Sequence, residues 1–250
     1  MECRLLETGF QKASWNMGVD ESVLEHVSEG TSKPTLRIYG WSPPAVSIGY
    51  FQSIQEEVDL AACCDMGVDV VRRITGGGAV FHDQELTYSI IIPEKEVPED
   101  ILESYRLVCG GITRGLDSLG IESEFAPLND IVTGGKKISG NAQTRRKHCM
   151  LQHGTILLKL DVNRMFRLLK VPSEKMRDKI VENVKERVTS VKDCLGREVS
   201  FHKASNAVVN GFAQAMNLEL EPGKLSESEM KLAGELAKTK YSSEEWNNKR

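Results

Sequence analysis

The chain has 250 residues, of which 27% are charged and 40% hydrophobic, and its formal net charge is −4. This length is enough to bury roughly 70–75% of the surface of the unfolded chain in a sizeable core. The net acidic charge argues against general nucleic-acid binding, which needs a clustered basic face. We find no signal peptide at the N-terminus, and no run approaches the roughly 20 apolar residues of a membrane span. These features predict a globular protein with neither a nucleic-acid nor a membrane partner.

The six cysteines give no metal-binding pattern. None is part of a C-x-x-C pair, and the adjacent Cys63 and Cys64 cannot provide ordinary zinc-finger spacing. We therefore expect free thiols in a reducing compartment, and so a cytoplasmic protein.

The first half of the chain combines one helical pattern with several strand patterns. Residues 16–28 carry apolar side chains at near-helical spacing and are followed by Gly30, which predicts an amphipathic helix. Apolar runs bounded by turn residues predict strands at 35–39, 45–49, 68–73 and 85–92.

The second half becomes mainly helical. Apolar residues recur at threes and fours over 101–119, before Gly120, and predict a long helix. A strand is predicted at 151–158, and further helices are predicted at 161–170, 173–185, 201–216 and 226–241. Ser226 and Glu229 have the spacing of a capping box at the start of the last helix. We read one mixed α/β domain over residues 1–250 with a helical C-terminal portion.

A glycine-rich stretch lies between two predicted strands. Arg72 and Arg73 precede Gly76-Gly77-Gly78, and a short apolar run then leads to His82 and Asp83. Glycine lets a ligand approach main-chain N–H groups, which form anion sites, and a neighbouring arginine adds a planar fork for phosphate or carboxylate. The stretch therefore predicts a bound anion, with a plain flexible hairpin as the alternative. Its position between strands and its G-G-G spacing do not match a dinucleotide fingerprint.

A second informative stretch covers residues 129–143. Gly134-Gly135 predicts a tight turn between two extended pieces, so Asn129 and Asp130 would face Lys136 and Lys137 across a hairpin. An acid and a base would then border one small site. The alternatives are that Lys137 is a solvated turn residue and that Asp130 only forms the turn.

Four blocks in this order resemble the lipoate–protein ligase A family, from about residue 3 to the end of the chain. The blocks are residues 72–83, 129–131, 135–142 and 153–155. The resemblance implies a mixed β-sheet flanked by helices, similar to biotin ligases and to class II aminoacyl-tRNA synthetase catalytic domains. It also implies that ATP and Mg²⁺ activate lipoate to lipoyl-AMP. The lipoyl group would then pass to one lysine of a lipoyl carrier domain, in the E2 of a 2-oxoacid dehydrogenase or in the glycine cleavage H protein.

The resemblance also implies roles for particular residues. Lys137 would be catalytic, lying between the acyl carbonyl and the phosphate, where cations and preorganised N–H donors are needed. Asp130 would be a tentative Mg²⁺ ligand. The residues expected at ATP or lipoyl-AMP are Arg73, Gly76, Gly77, Gly78, Ala79, Val80, Phe81, Asn129, Asp130 and Lys137. The candidates for the acyl pocket are Trp41, Val46, Val80, His82, Ile138 and His153.

The main competing interpretation is an octanoyltransferase of the same superfamily. Residues 49–52, 82–89, 151–154 and 240–247 also resemble that branch. Those enzymes take octanoate from acyl carrier protein through a cysteine thioester, so they need a thiolate beside the lysine. Residues 125–135 contain no cysteine, residues 171–173 are Val-Pro-Ser, and Cys149 follows Lys137 by twelve residues. We therefore favour the ligase. A non-catalytic acyl-carrier binding module and a biotin ligase remain further alternatives.

Full-length ligases of this family carry an additional C-terminal domain, for which this chain has no room. We expect a separate small accessory protein to complete adenylation, while the chain binds lipoyl-AMP but makes it poorly alone.

Overall fold

The computed structural model describes the backbone of residues 1–170 and 174–249, and the side chains of residues 174–177 lie outside the description. In this part of the chain the strands are β1 (Glu2–Gln11), β2 (Thr35–Trp41), β3 (Ala45–Ile48), β4 (Asp69–Arg72), β5 (Val80–His82), β6 (Glu85–Pro93), β7 (Glu124–Ala126), β8 (Asp130–Thr133), β9 (Lys136–Arg146), β10 (Cys149–Leu157) and β11 (Glu219–Pro222). The helices are α1 (Ala13–Ser28), α2 (Ile54–Glu57), α3 (Leu60–Asp65), α4 (Ile101–Ser118), α5 (Val162–Leu168), α6 (Glu174–Arg187), α7 (Val191–Leu195), α8 (Phe201–Ala215), α9 (Glu227–Leu236) and α10 (Glu244–Asn247).

The strands form two sheets. The larger is an eight-stranded mixed sheet in the order β11-β1-β2-β6-β10-β9-β8-β7, and the smaller is a three-stranded sheet in the order β4-β3-β5. β1 pairs in parallel with both β11 and β2, whereas β6, β10, β9, β8 and β7 pair antiparallel in succession. The β8–β9 hairpin therefore lies near one edge of the larger sheet, with β7 as the edge strand.

Helices cover both faces of the large sheet, and the residues of β2 show why. Leu36 and Ile38 pack into the core beneath α4 and α8, whereas Tyr39 and Trp41 pack on the side of α1 and α9. Successive side chains of a strand point to opposite faces, so a strand buried on both sides reads as a continuous apolar run. All seven residues of β2 are buried.

The small sheet has its own apolar cluster. Val46 and Ile48 of β3 pack with Ile54 of α2, Cys63 of α3 and Leu168 of α5. The three glycines at 76–78 connect β4 to β5, so this loop leaves and re-enters the small sheet.

The predicted mixed α/β architecture with helices flanking the sheet is confirmed. The capping box is present, since the Ser226 hydroxyl accepts from the Glu229 backbone and the Glu229 carboxylate accepts from the Ser226 backbone. The C-terminal portion is less purely helical than expected, because β11 pairs with β1 at the edge of the large sheet. Residue 173, the expected start of one helix, lies outside the described residues. That residues 1–250 form a single domain stays a prediction.

Candidate active site

A cavity of about 360 Å³ lies between the two sheets. Trp41 of β2, Lys137 of β9 and His153 of β10 reach it from the large sheet, and Ser47 of β3 and His82 of β5 reach it from the small sheet. Its volume falls within the roughly 300–1,000 Å³ of small-molecule pockets. Much of its wall is apolar, including Met17, Phe81, Leu157, Leu160, Met165 and Leu169. The cavity can therefore accommodate an apolar chain beside a few polar groups.

Lys137 provides a half-exposed cation at this cavity. Its ammonium lies 2.7 Å from the carboxylate of Asp130, across the β8–β9 hairpin predicted from Gly134-Gly135. The pairing register places Asp130 opposite Gly140 rather than opposite a lysine, so the long lysine side chain closes the distance. A Cβ atom on Gly140 would lie 2.8 Å from the Lys137 ammonium nitrogen, so the glycine leaves room for this side chain.

Two asparagines hold the backbone next to Lys137. Asn129 donates to the carbonyl oxygen of Asn141, and the Asn141 side chain donates back to the carbonyl oxygen of Asn129 at 2.8 Å. Tyr88 donates to the Asn141 amide oxygen at 2.7 Å. Gly154 leaves space for this amide, because a Cβ there would lie 2.1 Å from its oxygen. Asn129 is therefore fixed where it lines the cavity.

Arg73 brings a second, buried cation to the cavity. Its guanidinium donates at 2.8 Å to the carbonyl oxygens of Gly76 and Gly78, and it donates to both the carbonyl and the hydroxyl oxygen of Ser47. Among the residues that the structure describes, its hydrogen-bond partners are all neutral. Burial lowers the pKa of Arg73 to about 10, which still leaves it protonated at neutral pH. Such a charge favours a ligand that is negative or that develops negative charge.

Arg72 has a structural role that the sequence analysis did not anticipate. Its guanidinium donates to the carbonyl oxygens of Gly49, Tyr50 and Gln52, and also to those of Trp246 and Asn247. It therefore links the loop after β3 to the C-terminal segment. Only Arg73 of the two neighbouring arginines lines the cavity.

His82 is held in one orientation from three directions. Its ring stacks on Trp41 with the ring centroids 4.0 Å apart. Its Nδ1 lies 2.6 Å from a carboxylate oxygen of Glu85, and its Nε2 lies 2.7 Å from the hydroxyl oxygen of Ser47. Because Nδ1 faces a carboxylate, the network assigns the proton of the neutral ring to Nδ1. Nε2 then accepts a hydrogen bond from Ser47.

His153 has a similar set of buried partners, a hydroxyl and a carboxylate. Its Nε2 lies 2.7 Å from the Thr75 hydroxyl oxygen, and its Nδ1 lies 3.4 Å from Asp20. Burial lowers the pKa of His153, with Asp20 opposing that shift. Although burial disfavours the Asp20 anion, its ion pair with Arg37 at 2.7 Å contributes to holding the pKa of Asp20 below its usual value. His153 is therefore neutral at neutral pH.

Four of the six candidates for the acyl pocket line the cavity: Trp41, Val80, His82 and His153. Val46 and Ile138 do not line it. Val46 is fully buried in the cluster of the small sheet, and Ile138 is fully buried in the core beneath α4 and α8. Each is next to a residue that does line the cavity, Ser47 and Lys137, and neighbouring side chains on a strand face opposite sides. The strand pattern could have identified Ser47, the polar residue among the apolar residues of β3.

The residues expected at a nucleotide are only partly gathered at the cavity. Those that line it are Arg73, Gly77, Gly78, Ala79, Val80, Phe81, Asn129 and Lys137, whereas Gly76 and Asp130 do not. Their contact with ATP or lipoyl-AMP stays a prediction. Within residues 1–170 and 174–249, no group of three or more His, Cys, Asp or Glu side chains is arranged to hold a metal ion. The assignment of Mg²⁺ to Asp130 also stays a prediction.

None of the six cysteines, all of which lie in the described ranges, lines the cavity. Burial raises the pKa of Cys109 to about 12 and also raises the pKa of Cys149. A thiol with a raised pKa is a poor source of nucleophilic thiolate.

Among the described residues, 1–170 and 174–249, no helix is long and apolar enough to cross a membrane.

Known proteins match this chain over nearly its whole length. A relative from Kyrpidia tusciae named octanoyltransferase LipM is 41% identical over 268 residues, which cover 98% of this chain and 97% of that protein. The structure of an archaeal bi-partite lipoate protein ligase, solved in a study of that ligase and its E2 lipoyl domain from Thermoplasma acidophilum, has a TM-score of 0.90 and 36% identity, covering 99% and 96% of the two chains. A lipoate-protein ligase A bound with ATP has a TM-score of 0.84 and 34% identity, covering 99% and 98%.

These matches correct the function predicted from the sequence. The prediction of an ATP-dependent lipoate–protein ligase is wrong, because full-length relatives at 38–41% identity are named octanoyltransferase LipM. The preference for the ligase depended on the absence of a suitably placed cysteine and on two short motifs, Asn129-Asp130 and Gly76-Gly77-Gly78, whereas the relatives match 98–99% of the chain.

The likeness to solved lipoate ligases bears out the fold and the resemblance to their family. A family model, the lipoyl protein ligase A/B catalytic domain, matches residues 12–213. This range includes the glycine loop, the β8–β9 hairpin and the residues that line the cavity. The chain therefore belongs to the lipoyl protein ligase A/B catalytic domain family, as an enzyme of the lipoate ligase and transferase superfamily.

Proposed function

We propose that this chain transfers an octanoyl group from the thioester of an acyl carrier protein to a lysine of a lipoyl carrier domain. The observation that carries the proposal is Lys137, a cation at an apolar-walled cavity, in a chain whose full-length relatives are named octanoyltransferase. A thioester is already an activated acyl group, so its transfer to an amine requires no adenylate.

The cavity wall suits the saturated chain. Met17, Phe81, Leu157, Leu160 and Met165 provide the apolar surface against which an eight-carbon tail packs. Each buried methylene stabilises the complex by about 0.8 kcal/mol, so a longer chain binds more tightly until the cavity is full.

Lys137 acts on the carbonyl end of the substrate. When an amine attacks the acyl carbon, negative charge develops on the carbonyl oxygen, and a preorganised cation stabilises that oxyanion. The half-exposed ammonium of Lys137 lies 2.7 Å from Asp130 Oδ1, an oxygen that is itself buried. In the described residues the ammonium is held by this ion pair rather than by a hydrogen-bond network, so it can turn toward the oxyanion.

The acceptor is a lipoyl carrier domain, of a 2-oxoacid dehydrogenase E2 or of a glycine cleavage H protein. A protein similar to this chain, the Thermoplasma acidophilum ligase, is described together with its E2 lipoyl domain, which supports this class of acceptor. An accessory subunit is not needed, because the proposed reaction has no adenylation step.

The test compares two donors in parallel, with mass spectrometry of the carrier domain as the readout. In the first arm, the purified chain is mixed with a lipoyl domain and octanoyl-acyl carrier protein. In the second arm, the donor is a free acid, octanoate or lipoate, supplied with ATP and Mg²⁺. We expect one octanoyl group on the domain in the first arm and none when Lys137→Ala replaces the wild type. Modification that occurs only with the free acid and ATP would refute the proposal. Unchanged transfer by Lys137→Ala would refute the role of Lys137, and no modification of the domain in any arm would instead indicate a non-catalytic binding module.

A further inference from the structure

A hydrogen-bonded serine, histidine and glutamate meet at the wall of the cavity. The Ser47 hydroxyl oxygen lies 2.7 Å from His82 Nε2, and His82 Nδ1 lies 2.6 Å from Glu85 Oε1. Ser47 and His82 both line the cavity. A nucleophile within hydrogen-bond reach of a base, with the base oriented by a third group, is the arrangement of covalent acyl transfer.

Neighbouring side chains hold the Ser47, His82 and Glu85 contacts in place. Trp41 stacks on the imidazole of His82 and donates at 2.8 Å to Thr87. Thr87 donates in turn at 2.7 Å to the same oxygen of Glu85 that faces His82. The carboxylate and the ring are therefore both held, and His82 Nε2 remains directed at Ser47.

Arg73 adds a positive charge at the hydroxyl itself. Its guanidinium donates to the Ser47 hydroxyl oxygen at 3.1 Å, and its partners in the described residues include no carboxylate. A hydrogen bond from a cation stabilises the negative charge that a serine oxygen gains as it loses its proton.

A second hydrogen-bonded set of a hydroxyl, a histidine and a carboxylate is a weaker candidate. Thr75, His153 and Asp20 are also in contact, but His153 Nδ1 lies 3.4 Å from the Asp20 carboxylate, and that carboxylate forms an ion pair with Arg37. Thr75 is fully buried and does not line the cavity. Its hydroxyl therefore has no access to an acyl group in the cavity.

We propose that Ser47 is the nucleophile that receives the acyl group, with His82 as its general base and Glu85 as a positioning residue. This inference rests on the proposed function and deepens it. Octanoyl transfer through the enzyme needs a nucleophile, and no cysteine in the described chain, which includes all six, lines the cavity.

Two balanced steps follow. In the first, the Ser47 oxygen attacks the thioester carbon as its proton moves to His82 Nε2. The carbon–sulfur bond then breaks, and the leaving thiolate takes the proton from His82, leaving an octanoyl ester on Ser47. In the second step, the carrier lysine amine attacks the ester carbon and gives a proton to His82. As the carbon–oxygen bond breaks, His82 returns that proton to Ser47, and the product is the amide.

The experiment traps the ester. Wild-type chain is mixed with octanoyl-acyl carrier protein without any acceptor domain, quenched in acid and mapped by peptide mass spectrometry. We expect one octanoyl group on Ser47, resistant to neutral hydroxylamine, which cleaves thioesters and leaves oxygen esters. An adduct on another residue, or no adduct, would overturn the inference.

Variants complete the test. Ser47→Ala is expected to lose transfer by roughly a thousandfold or more while remaining folded, with a lower unfolding temperature because His82 Nε2 loses its buried donor. Ser205→Ala, which removes a buried serine hydroxyl of α8 bonded to Glu7, is the matched control and should transfer within about twofold of the wild type. Should Ser47→Ala fail to fold, Ser47→Cys decides: its adduct must become sensitive to hydroxylamine, and an adduct that stays resistant overturns the inference.

The positioning role of Glu85 is tested by the pH dependence of adduct formation, which a purely structural role would leave unchanged. Glu85→Gln removes the negative charge beside His82, whose other charged or titratable neighbours are Arg73, through Ser47, and His153. The pH midpoint of adduct formation should therefore move downward, because a base without its carboxylate loses its proton at lower pH. An unmoved midpoint overturns the role of Glu85. If the wild type modifies no carrier domain at all, the proposed function fails, whereas wild-type transfer by a folded Ser47→Ala refutes only the role of Ser47.

Discussion

Gly140→Ala tests the position of Lys137 without removing its charge. The added Cβ would lie 2.8 Å from both Cε and Nζ of Lys137, closer than real Cβ contacts allow. Beyond the adjacent residues, the next nearest atom is the Asp130 carboxylate oxygen, at an ordinary 3.7 Å. The lysine must therefore move its terminal atoms, and the backbone can stay where it is.

The expected effects on stability and on activity differ. The obstructing atoms are the end of a flexible side chain, and the ion pair that is disturbed is half-exposed, so the free energy of unfolding should change by about 1 kcal/mol or less. Transfer depends on geometry much more steeply. A displacement of about 1 Å can cost on the order of 100-fold, which is close to the loss of one oxyanion donor.

The assay measures octanoylation of a lipoyl domain from octanoyl-acyl carrier protein, together with the unfolding temperature. We expect Gly140→Ala to lose on the order of 100-fold in rate, approaching Lys137→Ala, with little change in stability. Gly110→Ala on α4 is the control, because its Cβ would meet only the Ala215 methyl at an ordinary 3.7 Å. A Gly140→Ala protein that transfers at the wild-type rate would show that the position of the Lys137 ammonium does not govern the reaction.

Three further predictions address other parts of the site and fold. Gly154→Ala should destabilise the protein by about 1–3 kcal/mol in denaturant unfolding, since its Cβ would meet the Asn141 amide oxygen at 2.1 Å and the Gly140 carbonyl oxygen at 2.8 Å; an unchanged midpoint would contradict this packing. Cys149→Ser should transfer normally, because Cys149 is buried outside the cavity, and a trapped octanoyl thioester on Cys149 would refute that. Burial disfavours the Glu229 anion, but bonds from Arg4, Ser32 and the Ser226 backbone lower its pKa to about 2, from an ordinary 4.5. The ionised carboxylate therefore contributes about 3 kcal/mol to the free energy of unfolding above pH 4.5, and this contribution is lost as the pH falls through 2. Glu229→Gln should remove that part of the pH dependence of unfolding.

Local patterns predicted those parts of the fold that depend on nearest neighbours along the chain. The helix at α1, the long α4 and the turn at Gly134-Gly135 all follow from periodicity and from glycine. The N-terminal β1 was missed, although Cys3 and Leu6 are buried in it. β1 is paired in parallel with β11, from more than 200 residues later, and such partners leave no local signal.

The structure gathers most of the predicted site residues at one cavity but turns two of them, Val46 and Ile138, away from it. Lys137 and Arg73 both line the cavity, as the four blocks suggested. Val46 was chosen for its apolar character, yet on a strand buried on both sides apolar character does not tell which face a residue occupies. The polar character of Ser47 on an apolar strand marked it as unusual, but its contact with His82, which is 35 residues away, follows only from the pairing of β3 with β5.

The two cations of the cavity differ in how firmly they are held, and this difference suggests a division of labour. Arg73 is buried and bonded to carbonyl oxygens of its own loop, so moving it would leave those groups unsatisfied at a cost of roughly 1–3 kcal/mol each. Lys137 is half-exposed, and in the described residues its ammonium is held by one ion pair with Asp130 rather than by hydrogen bonds. A fixed cation suits an atom that belongs to the enzyme, such as the Ser47 oxygen it contacts, whereas a movable cation suits the oxygen of a substrate that must enter and leave. The positions of both side chains are thus consistent with a reaction in which the acyl group is first held by the protein and then released to a second partner.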